Sequence, residues 1–154
     1  MVSEPMKHFM ILLLAVTTAL LSSACYTDSG PPINFILPNG YVGAFRLVHD
    51  ETNGVDIKEA KNGYTYEIPA DGILKVKSLE PFLLFHEVTA RYQDGRVLVT
   101  ETDAGVKDDA IACRSLSSYR KDTPTSKGTT VFTYFIGTKE QAVKFQLSEA
   151  FDPY

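Results

Sequence analysis

The side chains of this sequence that could do chemistry are few: two cysteines, two histidines beyond the leader, and one cluster of carboxylates. Cys25 has the most specific setting. It follows a short apolar run, Phe9 to Leu21, and the small residues Ser22-Ser23-Ala24. A thiol in that place accepts a diacylglyceryl group, after which a lipoprotein peptidase cuts in front of it. Leu21-Ser22-Ser23-Ala24-Cys25 fits that recognition box, except that Ser22 stands where an aliphatic residue is usual. A general signal peptidase is served equally by Ser22 and Ala24, at the third and first positions before the cut. The first cut gives a protein anchored by lipid on Cys25. The second gives a secreted or periplasmic soluble protein in which Cys25 is free to pair with Cys113.

His49 and His86 are the other candidates. His49-Asp50-Glu51 is expected at a strand end and His86-Glu87 within a strand over Phe82 to Tyr92. If those two places meet, the imidazoles and a carboxylate make an acid–base or metal site, the basis of an alternative reading as a small hydrolase or metal-dependent enzyme. The sequence has no His-x-x-x-His, Cys-x-x-Cys or His-Glu-x-x-His spacing, so two strand-edge histidines are the simpler expectation, with no metal or cofactor. Cys113 precedes Arg114, a cation that would favour the thiolate if both were exposed. A buried thiol is the simpler expectation. Glu101, Asp103, Asp108 and Asp109 fall in one segment without the spacing of a calcium-binding loop, and read as a solvated acidic loop. No catalytic residue is therefore assigned.

The elements that must position these residues are short strands. Turn signals recur at Pro38-Asn39-Gly40, Asn53-Gly54, Asn62-Gly63, Pro69-Ala70-Asp71-Gly72, Asp94-Gly95 and Lys127-Gly128, where glycine and asparagine supply positive φ. Between them lie runs rich in aromatic and β-branched residues: Ile33 to Leu37, Tyr41 to His49, Tyr64 to Ile68, Leu74 to Val76, Arg96 to Thr100, Ile111 to Leu116 and Thr130 to Ile136. Alternation places Tyr64, Tyr66 and Ile68 inward, and Arg46 on the face opposite Phe45 and Leu47. Thr138 and Gln141 fit a capping box opening one short helix that buries Ala142 and Phe145. The expectation is a mainly β fold, an antiparallel β-sandwich of immunoglobulin or transthyretin type with one short C-terminal helix.

Composition narrows the partners. The run from Phe9 to Leu21 is shorter than the roughly 20 apolar residues of a bilayer-spanning helix. Residues 1–24 read as a cleavable leader, 25–32 as a polar tether ending in Pro31-Pro32, and 33–150 as one domain. Initiation at Met6 instead of Met1 would give a shorter and more basic leader. A formal charge of −4 with scattered Lys and Arg excludes nucleic acid as an electrostatic partner. The partner implied by Cys25 is a membrane, in the cell envelope, and Tyr26 after it favours an outer-membrane destination. Tyr41, Tyr64, Tyr66, Tyr92 and Tyr134 read first as sheet packing and second as a face for a protein or carbohydrate.

Phe35-Ile-Leu-Pro-Asn-Gly-Tyr-Val-Gly43 with Arg46-Leu47, then Asn62-Gly63-Tyr64, Ile68-Pro69-Ala70-Asp71-Gly72-Ile73-Leu74 and Phe135-Ile-Gly-Thr-Lys-Glu140, resembles a family of small exported bacterial domains of unknown function, number 6843. Asn39 stands where that family more often has an acidic residue, and residues 78–128 carry little of the likeness. The resemblance implies export and a β fold. It implies no activity, because its motifs are turns and strand starts. The sequence therefore points to an exported, lipid-anchored binding or structural module.

Overall fold

A computed structural model of the chain describes residues 30–120, 130–148 and 151. Residues 1–29, on which the expected leader, Cys25 and most of the expected tether fall, and the Lys127-Gly128 turn signal lie outside them. Eight strands form in chain order: β1 (Ile33–Leu37), β2 (Gly43–His49), β3 (Tyr64–Glu67), β4 (Ile73–Val76), β5 (Val88–Tyr92), β6 (Val97–Thr100), β7 (Ala112–Arg120) and β8 (Thr130–Gly137). A single 3₁₀ turn, Glu80–Phe82, precedes β5, and one helix, α1 (Lys139–Gln146), follows β8.

All eight strands share one sheet in the order β3-β1-β5-β6-β7-β8-β2-β4. The pairs β1/β3, β1/β5, β2/β4 and β6/β7 run parallel, whereas β2/β8, β5/β6 and β7/β8 run antiparallel. This corrects the expected antiparallel sandwich: the fold is a nearly closed mixed barrel. The reason lies in what a turn signal encodes. A glycine turn reverses the chain, but it does not oblige the two flanking strands to pair. Gln93-Asp94-Gly95 joins neighbours, β5 and β6, as an ordinary hairpin, and β7 and β8, the other consecutive antiparallel pair, are linked through Lys127-Gly128, which lies outside the described residues. The turns at Pro38–Tyr41 and Pro69–Gly72, each closed by an N–H donated back to the proline carbonyl, send β2 and β4 across to the opposite wall.

The segment after β3 closes the barrel at one end. Ile68 N–H donates to Ile36 O of β1 at 2.8 Å, and Gly72 O accepts from Arg46 N–H of β2 at 2.7 Å. Residues 68–72 therefore stitch one edge of the sheet to the other. Gly72 is fixed by this role: its φ is +73°, and a Cβ there would strike the Tyr41 hydroxyl and Ala44 O.

Alternation fills the interior, as an eight-stranded barrel requires. Ile33, Phe35 and Leu37 of β1 and Phe45 and Leu47 of β2 are fully buried. Phe35 meets Phe45 edge-on at 4.9 Å and Tyr134 at 4.8 Å, although β1 and β2 are not sheet neighbours. Those contacts cross the barrel. Tyr66 packs on Phe82 at 5.3 Å and Phe82 on Phe132 at 5.0 Å, so the 3₁₀ turn plugs the end at which β1, β3 and β5 begin.

Helix α1 matches its expectation in detail. The Thr138 side chain accepts from Gln141 N–H while the Gln141 side chain accepts from Thr138 N–H. Ala142 is buried, Phe145 packs on Phe135 at 5.5 Å, and the Arg46 guanidinium lies 5.7 Å over the Phe145 ring. Arg46 thus leaves the barrel interior to Phe45 and Leu47 and lies under the helix.

Candidate functional site

The plugged end of the barrel holds both histidines. His49, the last residue of β2, is exposed, and its Nε2 lies 3.0 Å from Lys77 O. A carbonyl can only accept, so Nε2 carries the proton of that bond. His49 lines a 260 Å³ cavity with Lys77, Leu79, Leu83, Thr130 and Phe132 among others. His86 does not line it. His86 sits beyond Phe82, edge-on to that ring at 5.4 Å, with Nδ1 2.7 Å from Leu84 O. The structure therefore brings both imidazoles to one end without gathering them into one pocket.

The position of His86 also corrects the sequence reading, which placed it within a strand from Phe82 to Tyr92. A 3₁₀ turn, Glu80-Pro81-Phe82, stands there instead, Leu83 closes it in a helical conformation, and β5 begins only at Val88. Proline supplies the fixed φ of a helix's first turn and no N–H for a ladder.

The carboxylate next to His49, Asp50, is already engaged. Asp50 accepts from Asn53 N–H at 2.9 Å and pairs with Lys75 at 3.3 Å. The Asn53 N–H, aided by Lys75, holds its carboxyl below the usual range. The acidic segment behaves likewise: Asp103 accepts from Thr100 N–H at 2.7 Å, Glu101 from Ser115 N–H at 2.9 Å, and Asp108 pairs with Lys139 at 3.2 Å. These are loop ties. Among the described residues no three His, Cys, Asp or Glu side chains come together as a metal group.

Cys113 and Arg114 part company because successive strand residues face opposite ways. Cys113 is a free thiol only 3 % exposed within the core, and burial, with Glu101 adding, pushes it up to about 12. Arg114 turns away and donates to Gly137 O and Ala110 O, each at 3.3 Å. The guanidinium does not activate the thiol. Of the tyrosines, Tyr66, Tyr92 and Tyr134 are buried, and Tyr41 donates its hydroxyl to Ala44 O. Packing explains them.

One feature of this end escaped the sequence reading. Leu83, Leu84 and Phe85 follow the plug in succession and are all exposed. Directly beside them the described chain begins: Gly30 N–H donates to Phe85 O at 2.6 Å, and a Cβ on Gly30 would lie 3.0 Å from Leu84 Cβ. The signal in the sequence is Pro81 followed by an apolar run that does not alternate. Elsewhere, an open groove of 890 Å³ lies along α1, rimmed by the Asp108–Lys139 pair and floored by Val143 and Leu147.

No helix among the described residues is long and apolar enough to cross a membrane. No family model matches the sequence, and no curated protein matches it. Among solved structures, a chain from Bacillus anthracis described as a "Putative Lipoprotein" is similar at a TM-score of 0.46 and 10 % identity, covering 73 % of this chain and 74 % of that one.

Proposed function

We propose that the protein is exported, held to an envelope membrane by lipid on Cys25, and acts there as a binding or structural module built on the barrel. The observation that carries this reading is the leader: an apolar run too short to span, then Ser22-Ser23-Ala24-Cys25. The described domain starts at Gly30, five positions after Cys25, leaving room for a short tether and no more.

The burial of Cys113 supports lipid on Cys25 over the disulfide reading. Bridged cysteines need Cα atoms within about 7 Å of each other. Cys113 faces the core among Tyr134 and its neighbours, so a bridge would have to carry Cys25 through the barrel wall. Expressed with radiolabelled palmitate, the wild-type chain takes up label and fractionates with membranes. Cys25→Ala loses both, and a variant that keeps its membrane fractionation defeats the proposal.

A further inference from the structure

We infer that Leu83-Leu84-Phe85 is a membrane-inserting finger that works beside the lipid anchor, an inference that rests on the anchored reading above. Three observations carry it. The first is exposure: Leu83 is 75 % exposed, Leu84 54 % and Phe85 80 %. Consecutive large apolar side chains left in water mark an interaction site when they form one patch, whereas scattered ones do not. Their immediate neighbour Phe82 is buried as the plug of the barrel, so the finger has a rigid base and does not need to fold in order to bind.

The second observation is position. The chain emerging from the anchor meets the domain at the finger, because Gly30 N–H is bonded to Phe85 O. Cys25 lies five positions before Gly30, and five residues span at most about 18 Å fully extended. A lipid on Cys25 therefore confines the finger to within that distance of the bilayer. Such tethering raises the effective concentration of a weak second contact without any added affinity. A diacylglyceryl group carries two acyl chains and holds the protein durably by itself, so the finger's part is to fix how the domain sits on the bilayer.

The third observation is charge. The ionisable residues flanking the finger in sequence are Glu80, His86 and Glu87, with Lys77 in the adjoining cavity. These flanking residues form no basic cluster, so the chemistry is apolar insertion into acyl chains and needs no anionic headgroup. The occupant is thus a bilayer surface, and a zwitterionic one suffices.

The test uses the full chain, processed and lipidated in its host, carrying Phe85→Cys or, separately, Val97→Cys. Val97 is 78 % exposed on β6, opposite Arg91 near the far end of β5. Each new thiol takes an environment-sensitive fluorophore, while buried Cys113 does not, and palmitate uptake is measured on the same variants. In phosphatidylcholine vesicles the Phe85 probe should shift to the blue and lose accessibility to iodide, while the Val97 probe stays water-like. With palmitate uptake intact, a water-like Phe85 probe overturns the finger and leaves the anchor standing. Equal shifts at both sites, or a blue Phe85 probe before vesicles are added, overturn it as well, the last by revealing a cover from the protein itself. Absence of palmitate from the parent chain removes the anchored reading first.

Discussion

Phe82 and Phe85 are three residues apart in one apolar run, yet Phe82 packs on Phe132 inside the barrel mouth and Phe85 stands in water. Substitution should separate them. Phe82→Ala should lose about 3–5 kcal/mol, the usual result of emptying an aromatic core site, while Phe85→Ser should stay within about 0.5 kcal/mol. Urea denaturation followed by circular dichroism reads both, and similar losses at the two sites would mean that the run is a buried strand after all. The sequence could not reveal this division, because a short apolar run has no period, and Pro81 alone signals that the ladder is interrupted. Cys113 was more legible: Ala112 and Cys113 continue an apolar run, and the thiol is a core group. Its ionisation is raised in the fold, so the contribution to stability is fully present below the thiol's unfolded range and is lost as pH climbs from about 9 to about 12. Native protein at pH 8 should therefore resist a thiol-modifying reagent until urea unfolds it. Rapid modification of native protein, monitored by mass, would place the thiol outside the core.

At the scale of elements, local chemistry was read well and partnership was not. The capping box at Thr138 and Gln141 is a bond pattern contained within four residues, so the sequence was enough to find it. Thr138→Ala should cost about 1 kcal/mol in thermal or chemical melting, and no loss would show that Phe145 packing alone holds α1. Among the described residues the turns were located too, but apart from Asp94-Gly95 between β5 and β6 the strands they join pair with others. Asn62-Gly63 illustrates why. Gly63 has φ +90° and lies so close to Pro32 that a Cβ would collide with Pro32 O, the acceptor of Tyr64 N–H. That glycine sets the register of β3 along β1, a parallel partner some 30 residues earlier that no local pattern names. Gly63→Ala should destabilise the fold by more than about 1 kcal/mol and raise exchange at the amides of β1 and β3 first. Uniform protection in that variant would detach the glycine from the register.

For the molecule as a whole, the wall-to-wall crossing of β2 and β4 turns a chain with sandwich-like signals into a mixed barrel. The closed end at residues 68–72 and the plugged end at Phe82 have different surroundings. Only the plugged end receives the chain from the anchor side, through Gly30. Orientation follows: a domain tethered at that end stands with its finger toward the bilayer and its 68–72 turn away from it. Both histidines sit at the plugged end, far in sequence from the Cys25 recognition box, so His49→Ala and His86→Ala should leave palmitate uptake and membrane fractionation unchanged. The account as a whole depends on the sulfur of Cys25. Intact-mass spectrometry of the mature protein purified from membranes measures it directly. The predicted result is a chain that begins at Cys25 and carries the added mass of a diacylglyceryl group. A mature chain beginning at Cys25 with a free or disulfide-bonded thiol, or one that still carries its leader, would contradict it.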